Sequence, residues 1–475
     1  MTFQSPLYLL FVAIVWLAAL ACRWSNARNI LLLVASYVFY ASWGGIPFLA
    51  LLIASTWINF ALGAMLRRNN TSGMLWLGLG FNLVLLGTFK YLPAFSTAFM
   101  AGSGTDAMVR TWVLPAGISF WTFQTMSYLI DIYREDDEKP TLLEFSLYVS
   151  FWPTVLSGPI TRVGELIPQF RENLRPGWED IATGIRSMIT GLFFKLVLAK
   201  LLNDGIAQGE GIATGWDQIA TGWGAPDVWL LAIGFGFQLF FDFAGYSLIV
   251  IGTARLFGIQ LPQNFNRPYL SAAPSVFWTR WHMSLSFWIR DYVFLPLATS
   301  RREVWWRNLA LVASMMIFGM WHGATLLFLA WGTYHGLLLA GHRVVQAWNR
   351  RHAAAVPPAV MTAASWLATF ALISLGWIFF RAHSWAQAME MFRAVVTPGA
   401  YRVHVVKPNA YVVTTLIVVG YLVTAALLPR VAEGMKRSPW ANRLVWLLSP
   451  AFYAVLMLLI VVYSHEQSAF VYLQF

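Results

Sequence analysis

Charge is scarce in this chain. Of 475 residues, 32 are Lys or Arg and 21 are Asp or Glu, 11% of the total, while 58% are hydrophobic. A soluble domain carries about a quarter charged residues, so the shortage excludes a soluble globular protein and points to a polytopic membrane protein. Cysteine is nearly absent: Cys22 alone excludes an internal disulfide framework and a cysteine-based metal site. There is no soluble domain, no long linker and no low-complexity tract. Neither half repeats the other, which weakens a transporter built on inverted repeats. Segment 6–22 is apolar, but Cys22-Arg23-Trp24 follows it without a small-residue cleavage pattern, so a retained first span is expected there and not a removed signal peptide.

What is present is a succession of apolar stretches near the roughly 20 residues that a helical span needs. They are 6–22, 29–43, 46–66, 74–95, 112–133, 178–203, 228–257, 304–320, 324–341, 359–380, 411–429 and 443–464. The expected fold is all-α, a polytopic helical bundle of about 11–13 spans. Two further stretches are less simple. Segment 141–160 contains Pro153, Gly158 and Pro159, and 275–297 contains Arg280, His282, Arg290 and Asp291. Broken or polar backbone at membrane depth survives only against protein or a water-filled cavity, so both are expected to be re-entrant or interior-lining. With the N-terminus outside and each span reversing direction, the inside loops hold Arg23, Arg67, Arg68, Arg134, Arg171, Arg175, Arg301, Arg302, Arg307, Arg343 and Arg430, among others. Loop 203–226, assigned outside, has Asp204, Glu210 and Asp217 and no Lys or Arg. This obeys the positive-inside rule and puts both termini outside. The formal charge of +11 therefore matters through its placement, and no nucleic-acid partner is expected. The basic stretch 381–410 departs from the rule and is expected to hold an interfacial helix on the outer face.

Chemistry in such a chain concentrates where polar groups enter apolar surroundings. His342, His352, His383 and His404 lie in or beside charged loops, and His465 ends the last span. His282, His322 and His335 lie at or near membrane depth. For His335 the expectation is a packed histidine bonded to a backbone carbonyl. His322 stands in GMWHGATLLFLAWGTYHG (319–336), beside Trp321, with Gly323 free to let a substrate approach the backbone. A neutral imidazole in a low-dielectric site is a usable general base. No Cys, Ser or Thr stands next to it as a nucleophile, which suits direct deprotonation of an external hydroxyl. No His pair is spaced i,i+4 and no carboxylate is close in sequence to His322, so no metal is expected. The stretch QLPQNFNRPYLSAAPSVFWTRWHMSLSFWIRDYVFLPL (260–297) gathers Asn264, Asn266, Arg267, Arg280, His282, Arg290 and Asp291. Each arginine alone reads as a snorkelling anchor; together Arg267, Arg280 and Arg290 suit an anionic donor such as the phosphates of a coenzyme, while Arg290-Asp291 also reads as a self-satisfied buried pair.

Six stretches carry a resemblance in family order: 117–134, 150–170, 241–270, 276–297, 319–336 and 470–475. With GISFWTFQTMSYLIDIYR, FDFAGYSLIVIGTARLFGIQLPQNFNRPYL and RWHMSLS among them, the chain resembles the membrane-bound O-acyltransferase family. The likeness is to the bacterial branch with the alginate O-acetylation and teichoic-acid D-alanyl transfer proteins. The resemblance implies a single transmembrane domain over 1–475, with peripheral helices over about 1–110, a catalytic core over about 111–350 and C-terminal helices beyond. It implies a double funnel meeting at a thin waist in a bacterial inner membrane. The family's catalytic histidine maps onto His322 and its upstream polar partner onto His282, with Trp321, Asn264, Asn266 and Asp291 as support. The implied reaction moves an acyl group from a cytoplasmic thioester, acetyl-coenzyme A, to a hydroxyl of an exported polysaccharide or of an extracytoplasmic acetyltransferase partner. No cofactor is expected to stay bound. After FLPL the family commonly continues with glycines, whereas Ala298-Thr299-Ser300-Arg301 follow here. Two readings compete. In one, an acyl-carrier protein delivers D-alanine; in the other, His282 and His322 form an ion relay in a channel or transporter. The relay wants intramembrane acids in facing spans, which the apolar stretches are read as lacking.

Overall fold

The computed structural model describes residues 1–93, 114–135, 138–172, 175–206, 209–218, 222–351, 357–436 and 438–463. The stretch 470–475, His352, His465, Arg437 and the start of the 112–133 candidate lie outside them. The described residues are helical with no β-strand. They fall into two compact units, residues 1–188 with 246–263, and residues 189–245 with 264–475.

The first unit contains α1 (Pro6–Ala21), α2 (Ser25–Arg68), α3 (Ser72–Leu86), α4 (Ile118–Tyr133), α5 (Leu142–Ser150) and α6 (Val163–Arg171). It also takes most of α7 (Trp178–Phe193). The two candidates 29–43 and 46–66 are one kinked helix, α2, bent where Gly45 takes φ +73° just before Pro47. Polar side chains join its helices. Asn59 and Asn82 exchange amide bonds at 2.7 and 3.2 Å, and the Thr125 hydroxyl donates to Asn82 at 2.9 Å, all buried. Between apolar helices such bonds hold elements that a lipid solvent would not drive together. Segment 141–160 is a short helix, α5, opened by a Thr141–Glu144 capping box, followed by turns over 151–158. It is broken as its prolines and glycine require.

The second unit begins inside α7, continues through a π-turn at Phe194–Ala199, α8 (Lys200–Asp204) and α9 (Ile212–Gln218), and enters α10 (Ala225–Leu256), whose last residues belong to the first unit. Lys195 in the π-turn forms an ion pair with Asp242 of α10, the side chains 5% and 4% exposed. Asp242 corrects the expectation that the spans hold no acids. A run as apolar as 228–257 hides one carboxylate because its counter-charge comes from another apolar stretch.

Segment 275–297 is a chain of short pieces: α11 (Pro274–Trp278), α12 (Met283–Ile289), a π-turn at Arg290–Phe294 and α13 (Leu295–Thr299). There follow α14 (Val304–His322), α15 (Leu326–Arg351), α16 (Pro358–Arg381), α17 (Trp385–Val396), α18 (Pro408–Lys436) and α19 (Pro439–Tyr463). α17 is the helix expected within 381–410, and it buries Ala388, Met391 and Ala394 on one face. Helices occupy most of the described part of every predicted span, the helix of 112–133 starting only at Ile118 and that of 324–341 at Leu326. Six of them are long and apolar enough to cross a membrane: Ser25–Arg68, Ser72–Tyr91, Ala225–Leu256, Pro358–Arg381, Pro408–Met435 and Arg443–Tyr463. The remainder are shorter, as with the 16 residues of α4, or carry charged and polar residues, as with α15. Beyond the exposed Arg443, the outer face of α19 is apolar, with Trp446, Leu447, Leu458 and Val461 each more than 60% exposed, as a lipid-facing helix requires.

Candidate active site

His322 is the last residue of α14, and the chain turns through Gly323 into α15. The two helices lie very close. A Cβ on Gly319 would stand 2.2 Å from the Phe328 carbonyl oxygen, and one on Gly332 would stand 2.2 Å from that of Met315. Only glycine permits this approach, and it puts the α15 rings around the end of α14. The His322 ring is 4% exposed. Phe318, one turn earlier, lies along it at 5.3 Å with an interplanar angle of 28°. Trp331 meets it edge-on at 5.2 Å, Phe380 of α16 at 5.0 Å and Trp321 at 4.8 Å. The imidazole is thus held by apolar walls contributed by three helices. Gly323 does not open a path to the backbone as expected, because a Cβ there would fall 2.5 Å from the Phe328 ring. The space is already filled.

His282 is fully buried and precedes α12 in the left-handed region, φ 42° and ψ 54°. A non-glycine residue there costs roughly 1–3 kcal/mol and persists only where its surroundings over-determine it. Here they do. The Met283 N–H donates to the Asn264 carbonyl at 2.8 Å and the Asn266 N–H to the Arg280 carbonyl at 2.9 Å. The Ser284 hydroxyl donates to Asn264 Oδ1 at 2.6 Å. These bonds tie the two sides of the His282 turn to loop 264–266. Phe243 of α10 closes on the His282 ring edge-on at 4.7 Å. On another side Trp321 lies 6.4 Å away. Two histidines 40 positions apart in the sequence therefore both approach one indole, Trp321.

The other predicted site residues divide. Asn264 is 1% exposed and structural to the turn just described. Asn266 is exposed and accepts from Arg267 Nε at 3.3 Å. Arg290 pairs with its neighbour Asp291 through bonds of 2.6 and 3.1 Å and lies over the Phe287 ring; the expected pair forms, but it is not the buried one expected, the Arg290 side chain being 53% exposed. Arg267 is exposed and Arg280 half-buried. His335, 1% exposed, departs from expectation: among the described residues neither ring nitrogen has a hydrogen-bond partner, carbonyl or otherwise. It is enclosed by Trp278 at 5.2 Å and Trp331 at 4.9 Å. Among the described residues no group of three or more His, Cys, Asp or Glu is placed to hold a metal ion. Sequence reasoning passed over Phe243, Phe380 and the Lys195–Asp242 pair. Phe243 and Asp242 lie in FDFAGYS, where the single carboxylate inside an apolar run is the signal that could have found them; nothing in the sequence marked Phe380.

A multi-pass helical membrane protein with two buried histidines around a shared indole is the class that fold and site define. Residues 37–385 match the membrane-bound O-acyltransferase family, and the chain belongs to that family; it is an O-acyltransferase. It is 35% identical over 418 residues to a probable alginate O-acetylase of Pseudomonas aeruginosa, covering 85% of this chain and 76% of that one. It is 33% identical over 432 residues to a peptidoglycan O-acetyltransferase of Helicobacter pylori, covering 83% and 79%. A teichoic acid D-alanyltransferase of Streptococcus thermophilus is 33% identical over 251 residues, covering 50% and 57%.

Proposed function

We propose that the chain moves an acetyl group from acetyl-coenzyme A, met at the cytoplasmic face of a bacterial inner membrane, to a hydroxyl of an exported polysaccharide or of an extracytoplasmic partner that completes transfer. The observation that carries the reading is that the buried His282 and His322 rings both approach the same indole, Trp321. His322 takes the proton of the acceptor hydroxyl as its oxygen attacks the thioester carbonyl. The carbon–sulfur bond breaks, and the proton passes from the imidazolium to the leaving thiolate, so that ester and free thiol are the products. Removing such a base costs typically 10²–10⁴-fold in rate. His282 orients or polarises a reacting group, held in one pose by the Asn264 and Asn266 bonds to its turn. Trp321 lies near both imidazoles, and Asp291 holds Arg290 beside the donor entrance, where Arg267 and Arg280 meet phosphate. The distribution of basic loops supports external termini. Acetyl transfer is favoured over D-alanyl transfer because the acetyl-transferring relatives align over more than four-fifths of this chain and the D-alanyl one over half.

The test uses purified protein in detergent with acetyl-coenzyme A labelled on the acetyl group. Thioester loss that vanishes in His322→Ala, at an unchanged unfolding temperature, is the expected result. Retained turnover in that variant rules out the base assignment. Turnover with a D-alanyl carrier protein and none with acetyl-coenzyme A, extracytoplasmic partners included, selects the carrier reading.

A further inference from the structure

The turn that follows FLPL carries cations that acyl transfer does not use. Trp306, in the first turn of α14, shares its indole N–H between the Leu297 carbonyl at 2.8 Å and the Ser300 hydroxyl at 3.0 Å, and that hydroxyl donates to the same carbonyl at 2.7 Å. The passage from α13 to α14 is thereby closed on itself. Its arginines are held too. The Arg301 guanidinium lies over the Trp306 ring at 4.6 Å, and Arg307 donates to the Arg302 carbonyl at 3.1 Å. Helix packing brings in another. α14 and α15 meet at Gly319 and Phe328, at Met315 and Gly332, and at Val312 and Gly336, and the same register continued sets Arg343 of α15 against the first turn of α14. There it lies over the Phe294 ring at 5.4 Å, and partial burial together with the Arg307 charge lowers its pKa. Among the described residues none of Arg301, Arg302, Arg307 and Arg343 forms an ion pair; Glu303 pairs with none of them, and Asp291 pairs with Arg290. Rings and a carbonyl fix these guanidiniums, and no carboxylate neutralises them.

What flanks the cations selects the kind of anion. Val304, Trp305 and Leu309 of α14 and Leu337, Val344 and Trp348 of α15 are apolar and 50–72% exposed. A small soluble anion has no use for such a border, whereas a lipid does. Exposed tryptophans gather at the headgroup level of a bilayer, and basic sites among helices there bind phosphate headgroups. The charge pattern of the loops reads this turn as inside, the side where anionic lipids attract basic residues next to the membrane. A snorkelling arginine extends its guanidinium into water; Arg301 and Arg343 instead lie against rings. We propose that Arg301, Arg302, Arg307 and Arg343 together bind the phosphate of an anionic phospholipid, whose acyl chains lie along the apolar outer side of α14 and α15 at Leu309 and Leu337. The proposal is independent of which acyl group the enzyme moves.

The test titrates the purified full-length chain in detergent with dioleoyl phosphatidylglycerol, dioleoyl phosphatidylcholine or inorganic phosphate, reading bound lipid by native mass spectrometry and stability by thermal unfolding. Phosphatidylglycerol is expected to bind and to raise the unfolding temperature most. Arg302→Gln and Arg343→Gln, both at exposed side chains, should each weaken phosphatidylglycerol about tenfold, the loss of one charge-assisted hydrogen bond. Leu309→Asn should weaken it while leaving the response to inorganic phosphate as it was. Equal binding of the two lipids, or of phosphatidylglycerol to wild type and to the doubly substituted protein, overturns the proposal. Inorganic phosphate giving the full stabilisation by itself overturns the lipid assignment in favour of a free-phosphate site. A raised KM for acetyl-coenzyme A in Arg343→Gln, with phosphatidylglycerol bound as before, overturns it in favour of the donor.

Discussion

Replacing Lys195 by Met leaves the Asp242 carboxylate among apolar helices with its cation gone. Both side chains are about 95% buried, so water cannot screen the loss as it does for a surface pair. Removing one partner of a buried pair costs about 3–5 kcal/mol, because the remaining charge keeps its desolvation penalty and loses its compensation. At 1.4 kcal/mol per decade, that is a change of roughly 140- to 3,700-fold in the unfolding equilibrium. Asp242→Leu should cost a comparable amount by stranding the ammonium. The double change Lys195→Met with Asp242→Leu removes both charges at similar volume and should recover most of the stability. The assay is unfolding of detergent-solubilised protein by increasing dodecyl sulfate, followed by tryptophan fluorescence, for all four members of the cycle. Single changes costing under 1 kcal/mol each, with no coupling between them, would show that water reaches the pair and would refute the reasoning.

Two other changes test the geometry around the histidines. Asn accepts the left-handed backbone better than most residues, so His282→Asn should fold with an unfolding temperature near that of the wild type while transfer drops severely; normal transfer would remove His282 from the chemistry. Gly319→Ala forces a methyl to within 2.2 Å of the Phe328 carbonyl, so α14 and α15 must separate. A loss of about 1–3 kcal/mol is expected, together with reduced transfer as the walls around His322 shift. An unchanged melting curve would mean that the helices are not so tightly crossed.

Much of the fold was legible because it is written in local pattern. Apolar runs mark the helices, Pro153 and Gly158 mark the break after α5, and the polar residues of 275–297 mark a segment that is not one straight helix. The kink at Gly45 was read as a gap between two spans because a glycine–proline pair looks the same in either case. His282 and His322 were also legible, since an imidazole in an apolar run is conspicuous. Their surroundings were not. The rings on His322 come from positions 318, 321, 331 and 380, and the ring on His282 from 243. Gly323 looked like an opening because a missing side chain suggests space; Phe328 fills it.

By itself, the sequence determined a helical membrane chain, the places where its helices bend or break, and which imidazoles sit in apolar company. These follow from hydropathy and backbone stereochemistry, which act over a few residues. Only the tertiary structure decided that Trp321 is near both His282 and His322, that Asp242 finds Lys195, and that His335 is enclosed by rings with no carbonyl on its nitrogens among the described residues. Those outcomes depend on which helix faces reach each other across tens of residues. That is settled by close packing at Gly319 and Gly332 and by the cost of leaving a buried charge without its partner.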